Sequence, residues 1–182
     1  MNTVKLIKSG LLKKTKIKEM KICVKQKLKS SMGQINTTKF IWMDGKLVKW
    51  EDAKVHILTH ALHYGSAVFD GIHSYKTDEG TAVFRLDEHI KRLFYSAESI
   101  GLKPSFTKAE IKDAVIKTLK SNALDDAYIR PLIYYGYGNI GVFPKDIPTN
   151  VAVITVPWGS YYSKNLRVMI SKYVRISPES TV

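Results

Sequence analysis

The chain has 182 residues, 45% of them hydrophobic and 10% aromatic, a composition that builds one globular core and excludes an intrinsically disordered protein. Its single cysteine, Cys23, excludes an intrachain disulfide or a thiolate metal cluster and fits a reducing, cytoplasmic compartment, and no apolar run reaches the roughly 18 to 20 residues that span a bilayer. The net charge of +13 is unevenly spread: residues 1–31 hold ten lysines and one acid, Glu19, and so carry +9, leaving only +4 on the other 151 residues, which argues against a nucleic-acid-binding domain.

Residues 1–31 contain neither Arg nor Asp and show weak periodicity. A basic arm, a targeting presequence and a mistaken start upstream of Met32 all compete for this segment. The lack of arginine and of a continuous apolar stretch favours a solvated tail or a mistaken start. Structured sequence begins with "MGQINTTKFIWMDG". "FIWMDGKLVKW" (40–50) predicts a β-hairpin, because Asp44-Gly45 accepts the positive φ values of a tight turn. "AVFDGIHSYKTDEGTAVFRL" (67–86) repeats the pattern around "TDEG". Asp87 is the expected cap of a helix that turns Ile90, Leu93, Phe94, Ala97 and Ile100 inward and stops at Gly101. A second helix starts at Thr107, with Thr107-x-x-Glu110 forming a capping box and Ile111, Ala114, Val115 and Leu119 facing the core. Strands are expected at 127–137, 150–157 and 166–174. Strands, two helices and strands again define an α+β layer with its helices on one face. The polar stretch "GSYYSKN" (159–165) marks the best domain boundary. The division is then a tail (1–31), a domain at 32–160 and a linker with a further strand (161–182), which the resemblance described below makes a small N-terminal domain and the first strand of a larger, truncated one.

Three constellations carry possible chemistry. His56, His60 and His63 in "VHILTHALHYG" are spaced for one helical face, as zinc ligands are, but no acid or thiol accompanies them. Structural hydrogen bonding is the better reading, and no metal site is assigned. Arg130 lies inside the aromatic strand "DDAYIRPLIYYGYG", where alternation puts it on one face with Tyr128, Leu132 and Tyr134. Its partner is either local, Asp125 or Asp126, or the carboxylate of a ligand, which the planar fork grips bidentately. Arg92 borders the apolar face of its helix one turn after His89, a weak anion site. "VFDGI" and "VPWGSY" set aromatic rings beside glycines, which suits both ordinary turns and a pocket wall.

Taken together, "FIWMDGKLVKWEDAKVHILTHALHYGSAVFDGI", "VFRLDEHIKRL", "AYIRPLIYYGYGNIGVFP" and "VPWGSY" resemble the N-terminal half of the branched-chain amino acid aminotransferases, class IV enzymes of pyridoxal-phosphate fold type IV. The resemblance runs from about Phe40 to the end, and implies transamination of leucine, isoleucine or valine with 2-oxoglutarate, a pyridoxal 5'-phosphate cofactor and a homodimer or higher assembly. It implies that Arg92 binds the cofactor phosphate and that Tyr64, Phe69, Trp158 and Tyr161 line the side-chain pocket. Tyr128 and Arg130 would meet substrate carboxylates, and Ile140 and Val142 would sit on a loop reaching the neighbouring subunit. The family's Schiff-base lysine would lie beyond Val182, so the 182 residues alone are expected to be inactive. Asp70 and His73 depart from the family's common glutamate and arginine. Relatives acting on D-amino acids or aminodeoxychorismate share "EHIKRL" and usually lack "HALHYG" and "YIRPL". A basic polyanion-binding module is the non-enzymatic alternative.

Overall fold

The computed structural model describes residues 36–158, 168–174, 176, 177 and 180, all within the unit Asn36–Val182. Seven antiparallel strands form one sheet: β1 (Phe40–Met43), β2 (Lys46–Lys49), β3 (Ala67–Phe69), β4 (Ile72–Thr77), β5 (Gly80–Val83), β6 (Ala127–Tyr135) and β7 (Thr149–Pro157). Their spatial order is β2-β1-β7-β6-β4-β5, and β3 also pairs with β6. Among the described residues three α-helices accompany them, α1 (His60–Tyr64), α2 (Leu86–Ser99) and α3 (Lys108–Asn122), with one turn of 3-10 helix at Trp50–Asp52. The expected α+β layering therefore holds.

The predicted hairpin at 40–50 forms with Asp44 at φ 45° and Gly45 at φ 92°, and its register runs from Phe40 opposite Lys49 to Met43 opposite Lys46. The stretch 67–83 divides differently from expectation. Only β4 and β5 make the hairpin, with Thr77 opposite Gly80, whereas β3 pairs with β6. The division has a chemical cause. Register continues unbroken along β6 from Phe69 opposite Leu132 to Ile72 opposite Ile129, so Asp70 lies across from Pro131 and Gly71 across from Arg130. Asp70 donates its N–H to the Pro131 carbonyl at 3.1 Å, but a proline has no N–H to return, and the ladder lapses there.

One face of the sheet carries the core. Trp42, Ile72, Ala127, Ile129, Ile133, Val151 and Val153 pack against Ile90, Leu93 and Ala97 of α2 and Ile111, Ala114, Val115 and Leu119 of α3. The helix expected to be capped by Asp87 begins two residues earlier: Arg85, at φ 45°, stands at the cap position, Leu86 opens α2, and no side chain caps it. Asp87 instead pairs with Lys112 of α3 at 2.6 Å, a cross-helix partner that sequence spacing does not reveal. Ile100, expected inside, is 39% exposed, because the chain already leaves the helix at Ser99 and turns at Gly101, φ 76°. α3 starts as predicted, with both halves of the Thr107–Glu110 capping box formed.

The strand expected at 166–174 is not one over its described part. Residues 168–174 are irregular and exposed, Ile170 by 98%. Alternating apolar residues make a strand only when a partner completes the ladder, and none of the described strands pairs with this segment. The boundary at 159–165 lies outside the described residues.

Candidate active site

The far face of the sheet, away from α2 and α3, carries an aromatic wall. Cross-strand pairing sets His73 opposite Tyr128 and Tyr128 opposite Val156, with Trp158 two residues further on the same side. The Tyr128 and Trp158 rings stack at 4.8 Å, and the His73 ring stands edge-on to both, at 5.6 and 5.2 Å. Phe69, opposite Leu132, extends the wall along β3.

Arg130 emerges from the middle of this wall. Its Nε and Nη2 donate to the Tyr128 hydroxyl at 3.2 and 2.9 Å, and its guanidinium lies 4.6 Å from the Phe69 ring centroid. The local acids are engaged elsewhere: Asp126 accepts from the Lys76 N–H at 3.0 Å, and Asp125 accepts from the Thr81 hydroxyl. Among the described residues Arg130 has no carboxylate partner, which decides against the local pairing left open by the sequence. Gly71 creates room for this arrangement. A Cβ there would come within 2.9 Å of the Tyr128 hydroxyl and 3.2 Å of its ring, closer than such atoms pack.

A second cluster lies on the helix side of the same strand break. Asp70, 4% exposed, points toward α2. Its carboxylate accepts from Arg92 Nε at 2.8 Å and Nη2 at 2.7 Å, and His89 Nδ1 stands 3.0 Å away. Nδ1 also lies 3.1 Å from Arg92 Nη2; a carboxylate oxygen has no proton to give at neutral pH, so the contact with Asp70 requires the proton on Nδ1, and the approach of Arg92 Nη2, itself a donor, is then not a hydrogen bond. Burial alone would raise the Asp70 pKa, but the hydrogen bonds from Arg92 and His89, aided by their charges, outweigh it and hold the carboxyl below its ordinary value. Arg92 itself stays 63% exposed along its side chain. Its Nη1 has no hydrogen-bond partner among the described residues.

The remaining predicted residues are placed as follows. Tyr64, on α1, packs its ring 4.4 Å from His60 and is 41% exposed. Ile140 and Val142 lie in the loop after β6, exposed with neighbouring Phe143. Tyr161 lies outside the described residues. Phe69, Tyr128, Arg130 and Trp158 are brought together, whereas Arg92 belongs to the Asp70 cluster on the opposite side of β3. The three histidines of "VHILTHALHYG" take separate local partners. Leu58 N–H donates to His56 Nδ1 at 3.1 Å, and His63 Nε2 donates to the Ile57 carbonyl at 2.9 Å. Buried His60 accepts from the Ser66 hydroxyl through Nδ1 and donates from Nε2 to the Gly141 carbonyl, 2.7 and 2.8 Å. A five-residue helix is too short to align all three on one face.

The chain belongs to the amino-transferase class IV family, whose model matches residues 67–182. It is 39% identical over 140 residues to the branched-chain-amino-acid aminotransferase of Pseudomonas aeruginosa, covering 74% of this chain and 46% of that one. Among solved structures, the branched-chain amino acid aminotransferase from Escherichia coli superimposes with a TM-score of 0.72 at 39% identity, covering 79% of this chain and 48% of that one. The branched-chain amino acid aminotransferase from Thermobaculum terrenum, in its PLP form (holo form), gives 0.62 at 34% identity, covering 70% and 42%. The chain spans about half the length of the curated relatives it matches.

Proposed function

We propose that this chain supplies the carboxylate-facing wall and a phosphate-binding arginine to a pyridoxal 5'-phosphate-dependent transaminase that moves the amino group of leucine, isoleucine or valine to 2-oxoglutarate. The observation that carries the reading is Arg130: a guanidinium bonded to a phenol, stacked on Phe69 and paired with no carboxylate among the described residues. Such a group has both charge and hydrogen-bonding capacity left for an incoming acid. Around it Phe69, Tyr128 and Trp158 offer apolar surface to a branched side chain, whose full burial contributes about 1.5 to 3 kcal/mol. Glutamate presents a carboxylate to the same cation when the other half-reaction runs. One wall thus accepts both substrates.

The residues present also fit the cofactor. A phosphate dianion is best held by a fixed cation with spare donors, and among the described residues Arg92 Nη1 has no partner while Asp70 binds the other edge. When bound, the cofactor acts as the electron sink that lets the substrate Cα–H bond ionise. The chain's own contribution is to orient the substrate carboxylate at Arg130 and Tyr128 and to anchor the phosphate at Arg92. Ile140, Val142 and Phe143, exposed by 65%, 85% and 81%, support a further reading in which this loop packs on a second copy of the protein. Among the described residues no helix is long and apolar enough to cross a membrane, and the single Cys23 supports a cytoplasmic setting.

The test uses stable phosphopyridoxyl adducts of amino acids, followed through tryptophan fluorescence. The L-leucine and L-glutamate adducts should both bind more tightly than the D-alanine adduct. Preference for the D-adduct would assign the chain to a different class IV activity, and absence of binding by all three would remove the proposal.

A further inference from the structure

We propose that Asp70 and His89 are positioning residues that lock the Arg92 guanidinium side-on and turn its Nη1 edge into a fixed anion grip. The assignment deepens the phosphate role proposed for Arg92 and rests on it. Three observations support it. First, Asp70 is buried to 3% of its side chain while Arg92 is 63% exposed, so the acid is the immobile partner and the arginine is the arm held against it. Second, the hold is two-point: Nε to one carboxylate oxygen and Nη2 to the other fix the guanidinium plane, which one bond would leave free to rotate. Third, the base of the arm is itself fixed. The Asp70 N–H is bonded to Pro131 in the central strand, and His89 Nδ1 donates to Oδ1 from the preceding turn of α2.

Charge alone would not build this site. A carboxylate placed behind an arginine cancels much of its attraction for an anion, so attraction cannot explain why Asp70 is there. Geometry can: an exposed arginine without it would spread over many rotamers and lose that freedom on binding. The two explanations predict opposite signs. If Asp70 were only a nearby negative charge, Asp70→Asn would tighten anion binding. If Asp70 positions Arg92, the same change weakens it, because the asparagine amide presents an NH2 group to donors.

The test uses the 182-residue chain with inorganic phosphate as the probe, and has two readouts. In the unliganded chain the Arg92 Nε–H resonance, assigned through Arg92→Lys, should be protected from exchange, and Asp70→Asn should abolish that protection. Phosphate affinity should fall at least tenfold in Asp70→Asn and in His89→Leu, and His89→Asn, whose amide replaces the Nδ1 donor, should restore most of it. If Asp70→Asn does not fold, the two His89 variants, at a half-buried position of α2, carry the same comparison. Equal or tighter phosphate binding by Asp70→Asn or His89→Leu, a freely exchanging Arg92 Nε–H in the unmodified chain, or no phosphate binding at all would overturn the proposal. The cofactor reading fails separately: phosphate binding intact and Asp70-dependent, with pyridoxal 5'-phosphate binding unchanged in Arg92→Ala, would sink that reading and leave the positioning role standing.

Discussion

Gly71→Ala is the sharpest single perturbation of the carboxylate wall. In an unstrained strand position the change should stabilise by roughly 0.5 to 1 kcal/mol, because glycine loses the most backbone freedom on folding. Against this, the new methyl would meet the Tyr128 hydroxyl at 2.9 Å and ring carbons at 3.2 and 3.4 Å. The ring has little room to yield, since Trp158 stacks on it at 4.8 Å and His73 stands edge-on at 5.6 Å. Overpacking of this kind costs about 1 to 3 kcal/mol, so the net loss in stability should be about 0 to 2.5 kcal/mol. Ligand binding should suffer more consistently. Any displacement of Tyr128 stretches its 2.9 Å bond from Arg130, and losing an oriented bond to a charged group costs about 1.5 to 3 kcal/mol, or roughly 10- to 100-fold in affinity. Calorimetric titration with 4-methylpentanoate, set beside urea unfolding of the same samples, separates the two effects. Unchanged affinity in a variant that folds normally would refute the claim that Gly71 exists to seat Tyr128 against Arg130.

Other predictions concern the frame that holds the wall. Asn122 accepts from the N–H groups of Lys39 and Phe40 and donates to the Phe40 carbonyl and the Thr155 hydroxyl; Asn122→Leu should therefore cost about 2 to 4 kcal/mol in urea unfolding, because several buried groups lose their partners together. Thr107→Ala removes a complete capping box and should cost about 1 kcal/mol, with Thr107→Ser nearly neutral by the same measurement. Because the folded pKa of Asp70 lies below its ordinary value of 3.8, the unfolded chain takes up that proton first as the pH drops. The stability Asp70 contributes is thus fully present above the ordinary value and is lost as the pH falls through the folded one. Asp70→Asn should flatten that part of the stability-against-pH curve, and a curve unchanged below pH 4 would contradict the pairing.

The sequence carried the local elements well because their causes are local. Asp44-Gly45 accepts positive φ wherever it occurs, and Thr107-x-x-Glu110 caps its helix with its own atoms, so both were legible without tertiary information. Alternation alone also put Tyr128 and Arg130 on one face, and the structure bonds them directly. What sequence pattern could not give was the choice of partner. Asp87 reads as a cap and is instead Lys112's counter-ion across two helices. Asp70 reads as a departure from a common glutamate, yet in three dimensions it anchors Arg92, a bond spanning the strand break and a helix. The proline after Arg130 was the available signal for that break, since a missing N–H in a central strand must interrupt one of its two ladders. Residues 168–174 failed for the converse reason: their alternation is genuine, but a strand is a property of two segments, and its partner is not written in the segment itself.

Everything proposed for the wall depends on Arg130 gripping a carboxylate. The most direct measurement is the affinity of 4-methylpentanoate against that of 4-methylpentanamide, in the unmodified chain and in Arg130→Ala. The acid should bind more tightly than the amide, and Arg130→Ala should weaken the acid roughly 10- to 100-fold while leaving the amide almost unaffected. Equal affinities for acid and amide, or equal losses of both in Arg130→Ala, would contradict it.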